Sequence, residues 1–298
     1  MDKEIENDEN IKEDQKIIKN IVISGGGQTL LTFYGILKEA QITNYFSIEN
    51  IESIYGTSAG ALIGFIISLS IDFDILDKYL INRPWNKVFD VNVDKIFGMF
   101  DNLGIFSKKH ICELINPLLH SKDLHPDITL QELYDYNKIE FHAFATELNS
   151  FTCIDFSYKT HPTWRVIDVL TATSAIPFIF EPVFINNMCY IDGALKNDFP
   201  IEECLQSCNE DETFFVKKEN NNNISVNENS TFENYFTLLI QKVMINISSK
   251  KTKKMILVSD SLCTLTEILE VTSNEEKRKS MINIGKELFI SYLSSFSS

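Results

Sequence analysis

A serine between two glycines, in Gly56-Thr57-Ser58-Ala59-Gly60, is the segment of this chain best suited to covalent chemistry. It follows a short apolar run at residues 51–55 and opens a longer one at 58–70 that is apolar nearly all round. A serine on a sharp strand-to-helix turn exposes its hydroxyl. Flanking glycines leave room for the turn, and the helix N-terminus favours a developing oxyanion. Ser58 is therefore the candidate nucleophile, with Gly56 and Gly60 forming its elbow. A second glycine run, Gly25-Gly26-Gly27, ends an apolar segment and precedes a predicted helix. Consecutive N–H groups in that setting form an anion nest. The run fails the dinucleotide pattern because the third glycine would be Leu30, and no Gly-Lys-Ser/Thr follows to make a P-loop. An oxyanion hole serving Ser58 is its better use.

The proton acceptor is harder to place. An α/β-hydrolase triad runs Ser, Asp/Glu, His along the chain. Here the histidines stand at 110, 120, 125, 142 and 161, with none later. His142 falls in a predicted strand and His161 precedes Pro162, and both read as structural. Asp192, in Tyr190-Ile191-Asp192-Gly193-Ala194, is the remaining candidate, with Gly193 and Ala194 shaping its loop. A carboxylate is a weak base in water, but burial beside apolar side chains raises its pKa by units.

The elements that must position these groups follow from hydrophobic patterning. The β-branched run at 17–24 reads as a buried parallel strand, followed by a helix to about Gln41. Residues 51–55 give a second strand and 58–70 a buried helix, so strand-turn-helix repeats and an α/β sheet is expected. Residues 72–125 read as mostly helical, with Trp85, Phe89, Phe97, Phe100 and Phe106 taken as ordinary packing in preference to a lipid-facing cap. Two strands are expected at 140–145 and 151–156. A tight hairpin is expected where Asn186-Asn187 separates 183–185 from 188–191, delivering Asp192 at its far end. The stretch 210–234 is Asn-rich and acidic and is expected to be a mobile surface insert. Lys250, Lys251, Lys253 and Lys254 read as a solvated loop before a strand at 255–258, and a last helix spans about 275–293.

These motifs together resemble the patatin-like phospholipases. The pieces occur in that family's order: SGGG at 24–27 with Gly35-Ile36-Leu37 beyond, GTSAG at 56–60, FATELNS at 144–150, ATSAIPFIFEPV at 172–183 and DGALKNDFPI at 192–201. The resemblance implies a patatin-like three-layer α/β fold with a mostly parallel central sheet flanked by helices. It also implies a Ser-Asp dyad of Ser58 and Asp192, with Gly25, Gly26 and Gly27 as the oxyanion loop. Where the family usually carries a basic residue and a glycine after the glycine run, this chain has Thr29 and Leu30. The expected activity is phospholipase A-type hydrolysis of carboxylic esters through an acyl-serine, without metal or organic cofactor. The alternatives are an acyltransferase or neutral-lipid hydrolase on the same dyad, or an inactive lipid- or partner-binding protein.

Composition narrows the partners. The 298 residues carry 27 Lys+Arg against 42 Asp+Glu, a net charge of −15 that repels nucleic acid. The expected partner is a phospholipid or other acyl lipid, with transient contact at a membrane surface. No apolar run approaches the roughly 18 residues that span a bilayer. The first residues are charged and lack the apolar core of a leader, so a cytoplasmic chain, peripheral at membranes, is expected. Residues 1–16 read as a disordered acidic arm and 17–298 as one domain. The six cysteines are too sparse for a disulfide framework, and the Cys204/Cys208 pair lacks further ligands for zinc.

Overall fold

The computed structural model describes residues 17–220, 225–245, 255–260 and 263–295. The arm expected at 1–16 and the lysine run at 250–254 lie outside the described residues.

Strand β1 (Asn20–Ile23) is buried along its whole length and leads through the glycine run into helix α1 (Leu30–Ile42). Strand β2 (Ser53–Thr57) does the same for α2 (Ala59–Ser68), every residue of which is buried. An all-round apolar helix can be stable only inside the molecule, and α2 lies beneath the sheet. Helices α3 (Phe73–Asn82), α4 (Trp85–Val88) and α5 (Val93–Asn102) lead to a short strand β3 (Gly104–Phe106). Helices α6 (Lys108–His120) and α7 (Leu130–Asn137) precede strands β4 (Glu140–Glu147) and β5 (Thr152–Phe156). Of the aromatic residues in this stretch, Trp85 and Phe106 are buried, whereas Phe97 and Phe100 on α5 stay 69% and 70% exposed. Ordinary packing thus accounts for the first pair and not for the second.

Helix α8 (Val166–Thr173) and strand β6 (Phe178–Phe180), which pairs with β3, come next. Strands β7 (Val183–Ile185) and β8 (Met188–Asp192) form the expected hairpin, with Asn186 and Asn187 at φ of 51° and 63°. Positive φ at both central residues matches the twist of the flanking strands. Helix α9 (Ile201–Leu205), strand β9 (Thr213–Asn220), helix α10 (Phe232–Ile245), strand β10 (Met255–Asp260) and helices α11 (Leu265–Ser273) and α12 (Glu275–Ser294) complete the order.

The main sheet runs β10-β9-β1-β2-β4-β8-β7, with β5 on β4. The pairs from β10 across to β4 are parallel, and β5, β7 and β8 pair antiparallel. Alternation across the strands covers both faces. Ile21, Ile23, Ile54, Phe214 and Val216 pack with α1, α2 and α12 on one side, while Val22, Tyr55, Phe144 and Phe215 meet α9 on the other. The fold is therefore α/β, with a central, mostly parallel sheet flanked by helices.

One expectation needs correcting. Within the stretch 210–234, expected to be a mobile surface insert, residues 213–220 are part of the sheet. Thr213–Asn220 forms an interior strand between β1 and β10, with Phe214, Phe215 and Val216 fully buried, and α10 begins at Phe232. Three apolar residues are enough for a strand covered on both faces. They were outweighed by the Asn, Glu and Lys that follow.

Candidate active site

The sheet order turns both ways from β1, to β2 on one side and to β9 on the other, and ligands gather at such a switch point beyond the carboxyl ends of the strands. Gly25, Gly26 and Gly27 leave β1, and Ser58 leaves β2. Ser58 stands at φ 53°, ψ −123°, a strained conformation for a non-glycine residue that costs about 1–3 kcal/mol. The sequence makes room for it through Gly60, whose added Cβ would meet the carbonyls of Ile23 and Ser24 at 2.4 Å. The elbow is held from outside as well: the Ser58 N–H donates to Thr173 Oγ1 at 2.9 Å, and that hydroxyl donates to the Phe144 carbonyl.

Asp192 ends β8, its N–H bonded to the Ala175 carbonyl at 2.9 Å and its own carbonyl accepting from Thr146 Oγ1 at 3.0 Å. Oδ1 accepts the Ala194 N–H at 2.8 Å within the turn that Gly193 opens, whereas the buried Oδ2 has no hydrogen-bond partner among the described residues. Burial pushes the Asp192 carboxyl up to about 7, against the Ala194 N–H and the Ser58 hydroxyl, which favour the charged form. A base with that pKa and a free lone pair beside a serine hydroxyl is suited to proton abstraction near neutrality.

An open cleft of about 650 Å³ brings the three predicted groups together: Ser58, Asp192 and the whole glycine run line it. Gly56 and Gly60 lie in the elbow behind Ser58, and Ala194 lines the wall. Asp198, Lys218 and Cys263 also line the cleft and were not singled out from sequence. Asp198 is a second carboxyl pushed up by its surroundings, to about 6, with Lys217 and Lys218 opposing. Gly27 sits at φ +56°, and a Cβ there would fall 2.2 Å from Cys263 Sγ. If its N–H serves an oxyanion, Gly27→Ala should lower kcat on a short-chain ester by about 10²-fold. A folded variant turning over at the native rate would remove the loop from the chemistry.

No histidine lines the cleft. His142 is held between Asp155 at 2.8 Å and Glu140 at 3.0 Å and stacks on Tyr55, and His161 packs against Phe156 and Trp164. A second cavity, of about 850 Å³, also reaches Ser58. Its walls are apolar: Leu30 from α1, Leu62 from α2, Trp85 and Phe89 around α4, Phe180 from β6 and Val271 from α11. Among the described residues no helix is long and apolar enough to cross a membrane.

Comparisons with known proteins agree with this architecture. The chain is 26% identical over 193 residues to a protein of Invertebrate iridescent virus 6 named "Probable lipid hydrolase 463L", covering 64% of each chain. It is 24% identical over 184 residues to an uncharacterized protein of Acanthamoeba polyphaga mimivirus, covering 62% of this chain and 60% of that one. The matches thus span less than two thirds of these relatives' length. The crystal structure of VipD from Legionella pneumophila superposes with a TM-score of 0.55 at 16% identity, covering 93% of this chain and 67% of that one, which shows a shared fold. The patatin-like phospholipase model matches residues 21–205, and the chain belongs to that family.

Proposed function

We propose that the protein is a lipid acyl hydrolase of phospholipase A type that cleaves carboxylic esters through an acyl-Ser58 intermediate. One observation carries the reading: Ser58 stands where the cleft holding Asp192 and the glycine loop meets an apolar cavity of about 850 Å³. A substrate bound there has its acyl chain among Leu62, Trp85 and Phe180 and its ester carbonyl over Ser58. Asp192 takes the serine proton, backbone N–H groups of the glycine loop stabilise the tetrahedral oxyanion, and the alcohol leaves with a proton. Asp192 then draws a proton from water, whose oxygen attacks the acyl-serine, and returns that proton to Ser58 Oγ as the fatty acid is released.

Labelling by a fluorophosphonate tests the reading directly. The native protein should be modified and Ser58→Ala should not; an unlabelled native protein, or a labelled Ser58→Ala, would refute it. Incubation with a phospholipid should release free fatty acid, whereas transfer to an added alcohol would assign an acyltransferase on the same dyad.

The cavity makes a separate prediction about chain length. Leu62 lies on α2 four residues past Ser58 and lines the cavity, so Leu62→Trp fills part of that space. Hydrolysis of a sixteen-carbon ester should fall by about tenfold or more while a four-carbon ester changes little, the loss expected when a methylene-binding pocket is blocked. An equal effect on both esters would mean that the acyl chain lies elsewhere.

A further inference from the structure

The cleft contains a buried cation that the proposed chemistry does not yet use. Lys218, near the end of β9, is only 6% exposed and lines the cleft with Ser58 and Asp192. Its backbone N–H donates to Ser24 Oγ at 2.8 Å, and its Nζ donates to the Gly26 carbonyl at 3.3 Å. Among the described residues no carboxylate lies within ion-pair distance of it, so the ammonium makes a single hydrogen bond with its three donors. Burying an ammonium on such terms is unfavourable, and an apolar residue would fill the same position in an interior strand without that penalty.

What Lys218 does hold is the peptide that joins Gly26 to Gly27. Among the described residues that carbonyl has one other donor, the Thr29 N–H at 3.2 Å. A trans peptide is planar, so fixing the Gly26 carbonyl fixes the opposite direction of the Gly27 N–H. The need for a clamp comes from the sequence itself. Glycines on both sides leave the plane free to rotate as a unit, since neither carries a Cβ to oppose a flip. A flipped peptide would present a carbonyl oxygen where the proposed oxyanion requires a donor.

We propose that Lys218 is a positioning residue of the oxyanion loop: its ammonium fixes the Gly26–Gly27 peptide and brings a positive charge to the loop as the tetrahedral oxyanion forms. The inference rests on the acyl-serine reading above. It assigns Lys218 to the transition state and not to recognition of an anionic part of the substrate. The cleft's own charges agree, because Asp192 and Asp198 line it together with Lys218 and make a poor site for a resting anion.

The experiment compares Lys218→Met, Lys218→Gln and Lys218→Arg on a soluble short-chain ester and in fluorophosphonate labelling, with melting temperature as the control. For Lys218→Met, kcat and the labelling rate should each fall by about 10²-fold while KM stays within about threefold, the pattern of an interaction realised in the transition state. Lys218→Arg, which keeps the charge and donors, should recover most of that loss, and Lys218→Gln should recover little. Native kcat in folded Lys218→Met would overturn the proposal. So would a loss confined to KM, which would make Lys218 a substrate-binding group, or folded Lys218→Arg no better than Lys218→Met. If Lys218→Met does not fold, the Arg and Gln variants decide by the same comparison, and failure of all three to fold would assign the residue to stability and overturn the proposal. Failure of the native protein to label would refute the acyl-serine reading itself. Native labelling with an unaffected Lys218→Met would refute only the role of Lys218.

Discussion

Replacing Ser58 by Ala should lower ester hydrolysis by on the order of 10⁴-fold or more while leaving the protein folded, because the nucleophile acts as a unit with its base and its loss removes the covalent route. The substitution is mild structurally. Ser58 makes its anchoring contact through its backbone N–H to Thr173 Oγ1, which alanine retains. The strained φ of 53° is retained as well, so the melting temperature should change little. A triad would show the same loss at a histidine, and this provides the contrast. His161→Ala and His142→Gln should keep turnover within a few-fold of native, since neither imidazole lines the cleft. His142→Gln should instead lower stability, because it removes a buried group facing two carboxylates at 2.8 and 3.0 Å. Inactive but folded histidine variants, or a Ser58→Ala that still turns over above background, would rule out the dyad.

How much of this could be read from the sequence depends on whether each feature is local. The elbow was legible because every requirement on Ser58 is met within five residues and by the apolar runs on either side. Asp192 was legible because the Asn186-Asn187 turn fixes the hairpin that ends on it. The apolar cavity was not, since Leu30, Leu62, Trp85, Phe180 and Val271 come from elements far apart in the chain and only the tertiary fold collects them. Lys218 was lost for a more specific reason. It directly follows Phe214, Phe215, Val216 and Lys217 and opens an Asn-rich acidic run, so composition assigns it to the surface although the strand buries it. Thr29, the departure from the family pattern, also gained meaning only in three dimensions: its hydroxyl donates to Asp260 Oδ2 at 2.6 Å, tying the start of α1 to the end of β10.

Asp192→Asn should abolish turnover and at the same time stabilise the protein, by an amount that grows with pH. Both effects follow from a carboxyl that burial raises from its ordinary 3.8 to about 7. For activity, the base works only when ionised, so kcat/KM of the native protein should rise with pH to a plateau with a midpoint within about one unit of 7. The variant should lose on the order of 10³-fold or more, because an amide takes no proton. For stability, below about pH 4 the group is protonated whether the chain is folded or not, and its titration contributes nothing between the two states. As pH rises from about 4 to 7 the unfolded chain ionises freely while the folded one resists, so the native protein loses stability relative to a variant that cannot ionise. The full shift is worth on the order of 4 kcal/mol, present above about pH 7. Asn can still accept the Ala194 N–H through its carbonyl, so the contact to Oδ1 is kept. Asp198, which also titrates late, is present in both proteins and largely cancels in the comparison. Urea unfolding of the two proteins at pH 5 and pH 8 gives the measurement. A variant advantage that widens toward pH 8, together with a native rate profile rising through the same range, is the expected result. A constant difference between the two pH values would mean that Asp192 ionises in the fold as it does in water, leaving it too weak a base for the role assigned to it.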